Sequence, residues 1–147
     1  MVNPRKIRRG DVYYAELPDE TVGSVQSGRR PVLITQNNYM NDRAPTVLVA
    51  TITSAIKRLD LKTHVLLPKI KGLPKQSMVM TEQRYTLDKK SLKCYCCSLP
   101  EGAMRDVDRA IHYAEKGRYS KRHFSRTKKK NGTVKTTKSK SKKITKE

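Results

Sequence analysis

The chain has 147 residues and a formal net charge of +20, with 33 Lys and Arg against 13 Asp and Glu. The length allows one domain with one ordinary hydrophobic core, and the charge indicates a polyanionic partner such as nucleic acid. The sequence shows neither an apolar run of membrane-spanning length nor the apolar stretch of a signal peptide, which predicts a cytoplasmic protein with no membrane partner.

The positive charge is concentrated at the C-terminus. Residues 116–147 hold 14 basic residues and one acidic residue, Glu147, whereas residues 1–115 hold 19 basic and 12 acidic residues. Lys, Ser and Thr dominate the last part of the chain, which cannot bury enough apolar surface to fold. The sequence therefore predicts one domain at residues 8–117 and a disordered lysine-rich tail at residues 118–147.

The first 99 residues predict short strands separated by turns. Strand 46–53 is apolar on both faces in its middle, which predicts a central position, and it turns polar at its end, where it is expected to emerge from the core. Many short strands with turn signals between them favour a small, curved, mostly antiparallel barrel. The other predicted strands are 11–16, 31–35, 64–67, 77–81, 84–87 and 94–98, with a short helical turn expected between residues 37 and 45.

A C-terminal helix is predicted after the strands. Pro100 suits the first position of a helix, and Gly117 suits its end. The fold class is therefore mostly β with a C-terminal helix (α+β). One apolar face for packing against the sheet is expected at helical spacing from Met104, Val107, Ile111 and Ala114.

Three cysteines lie close together, at Cys94, Cys96 and Cys97. In a reducing compartment they are expected to be free thiols within a strand. One Cys-x-Cys-Cys run supplies too few well-spaced ligands for a zinc site, and no second cluster completes it. The sequence therefore predicts no metal and no cofactor.

The loop at residues 23–31 is the first candidate for chemistry, because two arginines stand where it enters the sheet. Arg30 precedes a proline and is biased to extended geometry, so Arg29 and Arg30 should point to opposite faces. A guanidinium fixed at a strand start suits bidentate binding of a phosphate. The alternative is a surface arginine paired with Asp11 or another acid.

The remaining polar candidates are ambiguous when taken from pattern alone. Thr53 ends the central strand, with Ser54 after it, and could simply be a β-favouring threonine. His64 has no histidine partner for acid–base chemistry and is expected to be structural or solvent-facing. Glu82 and Gln83 form either a rim for base recognition or a satisfied salt bridge. These patterns alone predict a β protein that binds nucleic acid, and they do not predict an enzyme.

Several blocks of the sequence follow one another in a distinctive order. They are residues 9–15 (RGDVYYA), 23–33 (GSVQSGRRPVL), 45–53 (PTVLVATIT), 63–65 (THV), 72–77 (GLPKQS) and 82–88 (EQRYTLD). The terminal helix follows them, with Met104, Val107 and Ile111. Together these blocks and the helix resemble the MazF/PemK family of toxin endoribonucleases, and the resemblance spans roughly residues 8–115.

The resemblance implies an SH3-like barrel, usually a homodimer, that binds RNA in a groove near the subunit interface. It implies the toxin of a type II toxin–antitoxin system that cuts single-stranded RNA, such as messenger RNA, at short sequence sites. The implied products carry 2′,3′-cyclic phosphate and 5′-hydroxyl ends and form without a metal. The implied partner is an antitoxin whose acidic, flexible C-terminal segment occupies the same groove.

The family's catalytic pair corresponds to Arg30 and Thr53 in this sequence. Arg30 would stabilise charge on the reacting phosphate and donate a proton to the leaving oxygen, and Thr53 would position the phosphate. A guanidinium is a poor general base, so the acceptor of the 2′ proton is left open. The RNA-binding residues expected on the same grounds are Ser24, Gln26, Arg29, Ser54, Glu82 and Gln83.

Two departures from the family keep other functions open. Many relatives carry a glutamate where this chain has Val25, so a non-catalytic RNA- or DNA-binding module is one alternative. A gyrase poison of the CcdB type shares the barrel but depends on a tryptophan-bearing C-terminal end, and this chain has no Trp. A purely structural basic protein would not need the loop and strand-end residues. The added tail either contributes sequence-independent affinity for RNA, which we favour, or is dispensable.

Overall fold

The computed structural model describes residues 5–19 and 22–117, so the tail at 118–147 and its predicted disorder lie outside the described residues. The described residues form an antiparallel sheet followed by a helix, which confirms the predicted α+β class. The elements are β1 (Asp11–Leu17), β2 (Gly28–Ile34), α1 (Asn38–Arg43), β3 (Thr46–Thr53), β4 (His64–Leu66), β5 (Met78–Asp88), β6 (Leu92–Ser98) and α2 (Glu101–Lys116), with a 3-10 turn at Lys89–Ser91.

The sheet has the strand order β4-β5-β3-β2-β1-β6, and its neighbouring strands are antiparallel. The central position predicted for β3 is confirmed. The expected emergence of its polar end is wrong, because Thr51 and Thr53 are only 0% and 6% exposed. Thr53 is still paired with Met78 of β5, so the neighbouring strand covers the end of β3.

Strand β5 is longer than predicted. The sequence suggested two strands, at 77–81 and 84–87, because Glu82 and Gln83 interrupt the apolar pattern. The structure has one strand from Met78 to Asp88 that carries an irregularity at this point. β5 pairs with β3 on both sides of the irregularity, so the polar pair departs from the ladder without ending the strand.

Two apolar clusters occupy the two faces of the sheet, because side chains alternate along each strand. Ala50 and Ile52 of β3 belong to the larger cluster, which α2 covers. Val47 and Val49 of the same strand belong to the smaller cluster on the other face. The helix contributes to the larger cluster through Ala103, Met104, Val107 and Ala110, and the smaller cluster is completed by Tyr13, Ala15, Leu17, Val32, Ile34 and Leu87.

Helix α2 begins after Pro100, whose carbonyl accepts a hydrogen bond from the Met104 N–H at 3.1 Å. The helix is followed by Gly117, whose φ of +87° suits a glycine at a helix end. The predicted apolar face is confirmed except at Ala114, which is exposed. The last turn contacts β5 through an ion pair between Arg84 and Glu115 instead of apolar packing. Neither helix in the described part of the chain is long and apolar enough to cross a membrane.

The loop between β4 and β5 packs against β6 at the far end of the strand order. Leu73 is buried in the larger cluster, and Gly72 has a φ of +102°. A Cβ atom built on Gly72 would lie 2.1 Å from the carbonyl oxygen of Cys96. This close approach requires glycine. It also places the loop that follows β4 against β6, the strand at the other end of the strand order.

The three cysteines are free thiols, and we expect them to react at different rates. Burial raises the pKa of Cys96 to about 11 and raises that of Cys97 above its usual value. A raised pKa lowers the thiolate fraction, to about 0.1% for Cys96 at pH 8, whereas Cys94 is exposed. Iodoacetamide at pH 8, followed by peptide mass spectrometry, should label Cys94 first. Equal labelling of Cys96 and Cys94 would contradict this reading of the strand.

Candidate active site

Arg30 and Thr53 lie on neighbouring strands, each two residues beyond a directly paired position. The last pair between β2 and β3 at this end is Val32 with Thr51. Because side chains alternate along a strand, Arg30 shares a face with Val32, and Thr53 shares a face with Thr51. That face carries the smaller apolar cluster and is the face that α2 does not cover. The two candidate residues therefore stand at the same end of the same face of the sheet.

The Arg30 guanidinium is anchored on one side only. Its Nε donates a hydrogen bond to the carbonyl oxygen of Ser27 at 3.0 Å, and its side chain is half-buried. Across β1 its neighbour is Ala15, which is small. Arg30 forms no ion pair within the described ranges. The two terminal nitrogens of a held, uncompensated guanidinium suit bidentate binding of a phosphate.

Arg29 points to the opposite face, as the sequence predicted. It lies 3.7 Å from the carboxylate of Glu16, its partner on β1, and near the ring of Tyr14. The predicted alternative of an arginine paired with an acid therefore describes Arg29, with Glu16 in place of Asp11. Asp11 is buried and accepts a hydrogen bond from the Arg8 N–H. The structure does not place Arg29 beside Arg30 and Thr53.

The Thr53 hydroxyl is oriented by the backbone that follows it. Its Oγ1 accepts a hydrogen bond from the Ala55 N–H at 3.1 Å. A hydroxyl has one hydrogen to donate, and this contact uses an acceptor site. The Thr53 proton therefore stays available to a phosphate oxygen. Ser54, the next residue, is exposed at the edge of the same site.

The loop before Arg30 is held by β5. The Gln83 side chain accepts from the Gln26 N–H at 2.9 Å and donates to the Ser24 carbonyl at 3.0 Å. The Tyr85 hydroxyl donates to the Gln26 carbonyl. Ser24 is exposed and Gln26 is half-buried, and Val25 between them is 47% exposed. Sequence reasoning missed Tyr85, although its position two residues after Gln83 puts both side chains on one face of a strand.

Glu82, which the sequence suggested as part of a rim for base recognition, contacts His64. The Glu82 carboxylate lies 3.0 Å from His64 Nε2, and His64 Nδ1 lies 3.2 Å from the Lys57 carbonyl oxygen. The His64 side chain is only 5% exposed, and that of Glu82 is 38% exposed. Glu82 is therefore engaged by a protein side chain, and that side chain is His64. Within the described residues, no group of three or more His, Cys, Asp or Glu side chains is arranged to hold a metal ion.

Comparison with known families assigns the chain to a family. The family described as PemK-like, MazF-like toxin of type II toxin–antitoxin systems matches residues 8–114. The chain belongs to this family. The match covers β1 through most of α2 and includes Arg30 and Thr53.

The toxin is also similar to a named relative and to several solved structures. The chain is 48% identical to a protein named Endoribonuclease MazF from Staphylococcus epidermidis over 106 residues, which is 71% of this chain and 88% of the relative. Among solved structures, the toxin MazF-mt6 of Mycobacterium tuberculosis has a TM-score of 0.60 and 25% identity, covering 71% of this chain and 95% of that one.

Two further solved structures show the same fold at lower identity. MazF of Deinococcus radiodurans has a TM-score of 0.62 and 20% identity, covering 74% of this chain and 94% of that one. An endoribonuclease from Mycobacterial species, solved in complex with its cognate antitoxin, has a TM-score of 0.63 and 24% identity, with 74% and 94% covered. The antiparallel sheet with a C-terminal helix is therefore the fold of solved MazF proteins.

Proposed function

We propose that this toxin is an endoribonuclease that cuts single-stranded RNA at a site built on Arg30 and Thr53. The observation that carries the proposal is that both residues lie just beyond the Val32–Thr51 pair of β2 and β3, on the face that α2 leaves uncovered. Family membership and the identity with a named endoribonuclease support the activity. The same findings favour a ribonuclease over a gyrase poison.

The chemistry that suits these two groups is attack of a ribose 2′-oxygen on the adjacent phosphorus. The bond from phosphorus to the 2′-oxygen forms and the bond to the 5′-oxygen breaks, leaving a 2′,3′-cyclic phosphate and a 5′-hydroxyl. One proton leaves the 2′-hydroxyl and one joins the 5′-oxygen, so the step consumes none overall. Negative charge builds on the non-bridging oxygens, where the terminal nitrogens of Arg30 and the hydroxyl of Thr53 can donate. Arg30 does not take the 2′ proton, because a guanidinium stays protonated near neutral pH.

The remaining predicted RNA contacts divide by their place in the structure. Ser24, Gln26 and Ser54 border the site and are proposed to contact the RNA next to the cut. Arg29 lies on the other face of β2 and is proposed to contact the RNA backbone further away. Val25 supplies no carboxylate, so proton transfer in this toxin does not use that side chain.

A type II toxin acts together with an antitoxin, and we propose one whose C-terminal segment is acidic and flexible. The net positive charge of residues 1–115 favours such a segment. We further propose that the toxin is a homodimer and works in the cytoplasm, where RNA is accessible and the three thiols stay reduced.

The test is incubation of the purified toxin with mixed-sequence single-stranded RNA in EDTA, followed by analysis of the fragment ends. We expect cyclic phosphate at one end and hydroxyl at the other, at the same rate with and without EDTA. Cleavage that EDTA abolishes would contradict the metal-free chemistry. RNA binding without cleavage would replace the enzyme with a non-catalytic binding module.

Deleting residues 118–147 is expected to flatten the salt dependence of RNA binding. Each single-strand phosphate that the tail neutralises contributes about 0.7 to the slope of log K against log salt concentration, and the tail holds most of the net charge. Titrations between 50 and 200 mM salt, about the range over which such contacts weaken, measure the slope. The cut site should stay the same, because the proposed base contacts lie in the domain. A changed cut site would contradict this division of roles.

A further inference from the structure

The irregularity in β5 is a three-residue insertion into an otherwise paired strand. Successive residues of β3, Ala50 and Thr51, pair with Arg84 and Met80 of β5. Residues 81–83 therefore have no counterpart on β3. Insertions of this kind bend a strand and redirect its side chains, and they are common next to active sites.

The first inserted residue and the second hold the segment that follows Thr53. Thr81 donates from its N–H and from its Oγ1 to the Thr63 carbonyl, at 2.9 and 2.8 Å. Glu82 contacts His64 at 3.0 Å, and the other ring nitrogen of His64 reaches the Lys57 carbonyl. The two ring nitrogens of His64 therefore face the Glu82 carboxylate and the Lys57 carbonyl oxygen. The connection at residues 54–63 is thereby tied to β5.

The third inserted residue holds the segment that precedes Arg30. Gln83 uses its amide oxygen on the Gln26 N–H and its amide nitrogen on the Ser24 carbonyl. The same loop supplies the Ser27 carbonyl that fixes Arg30 Nε. A short path of hydrogen bonds therefore runs from Gln83 through the loop to the Arg30 guanidinium.

We infer that Glu82 and Gln83 are positioning residues that set Thr53 and Arg30 against each other. This inference rests on the proposed ribonuclease function. Adjacent side chains on one strand hold the two separate segments that carry the reacting pair. Both polar atoms of the Gln83 amide and one carboxylate oxygen of Glu82 contact protein groups, which favours a positioning role over the base contact expected from the sequence. A misplacement of a reacting group by about 1 Å can lower the rate about 100-fold. Loss of the contacts of either Glu82 or Gln83 should therefore lower kcat.

Gln83→Met tests whether Gln83 positions the loop before Arg30. Methionine has a side chain of similar length but cannot form the two hydrogen bonds to Gln26 and Ser24. We expect kcat to fall about 10- to 100-fold with little change in KM and the same cut site. Gln83→Glu keeps an acceptor for the Gln26 N–H and should retain more of kcat than Gln83→Met. Thr86→Val is the matched control, because Thr86 is exposed on the same strand. A shifted cut site with unchanged kcat would overturn the inference in favour of a base contact.

A second readout does not need activity. The Gln26 N–H donates to Gln83, so its hydrogen exchange should speed up in Gln83→Met and stay unchanged in Thr86→Val. An unchanged exchange rate of the Gln26 N–H in Gln83→Met would show that Gln83 does not restrain the loop. If the wild-type toxin did not cleave RNA, the proposed function and the positioning role would both fall, and the exchange rate would still show whether Gln83 holds the loop.

Glu82 is tested by a conservative and a truncating change. Glu82→Gln keeps an oxygen that can accept from His64 Nε2, whereas Glu82→Ala removes it. We expect Glu82→Ala to lower kcat more than Glu82→Gln, with KM little changed in both. The opposite order, or an effect on KM alone, would show that the Glu82 charge acts on RNA directly and would overturn the positioning role.

Discussion

Arg30→Ala should lower the RNA cleavage rate about 100- to 1,000-fold, the usual cost of removing a donor that stabilises transition-state charge. The expected loss is in kcat, because the terminal nitrogens of Arg30 are proposed to bind the phosphate most strongly when it carries the added charge. Single-turnover cleavage of a short RNA with a labelled end measures this rate directly. The variant should stay folded, since Arg30 is half-buried and, within the described residues, its side chain is anchored by one hydrogen bond to the Ser27 carbonyl.

Arg29→Ala is the matched control for Arg30→Ala. The two residues are adjacent in the chain and carry the same charge, yet Arg29 points to the other face of β2 towards Glu16. We expect Arg29→Ala to weaken RNA binding while the single-turnover rate at saturation changes only a few-fold. Equal losses of that rate in both variants would mean that net charge, and not the geometry around Thr53, determines catalysis.

Gly72→Ala should destabilise the domain by about 3 kcal/mol, a large effect for one methyl group. The added Cβ would lie 2.1 Å from the Cys96 carbonyl oxygen, and the φ of +102° disfavours any L side chain. The obstacle is backbone and not a flexible side chain, so the loop between β4 and β5 must move away from β6. Chemical denaturation of the purified toxin measures the change in the free energy of unfolding.

Gly102→Ala is the corresponding control in a regular element. Gly102 lies in the first turn of α2, and a Cβ there would meet only the end of the Arg105 side chain, at 3.9 Å. Alanine in place of glycine in a helix is expected to stabilise by up to about 1 kcal/mol. If Gly72→Ala were as well tolerated as Gly102→Ala, the close approach between the loop and β6 would not be needed for folding.

The sequence predicted β3 and α2 well because their apolar periodicity is local information. It failed at the end of β3, where Thr51 and Thr53 were expected to emerge from the core because they are polar. Burial at those positions depends on neighbouring strands, and Thr53 remains paired with β5. A polar residue at a strand end therefore gives little information about depth until its partners are known.

The sequence could name the candidate pair through the family resemblance, whereas it could not indicate the contacts around that pair. Arg30 and Thr53 carry the family resemblance at fixed places in two blocks. Gln26 and Gln83 are separated by 57 positions in the chain, and their contact depends on an insertion in β5 that pattern reading interpreted as a break between strands. Side-chain contacts made by an irregular segment follow no period that a sequence alone displays.

The two faces of the sheet have different consequences for the cell that makes this toxin. Substitutions under α2, around Ala50 and Ile52, change how long each folded molecule survives, because they alter the larger apolar cluster. Substitutions around Arg30 and Thr53, on the proposed function, change what each molecule does to RNA. The amount of folded toxin and the RNA sites that it cuts can therefore change independently of each other.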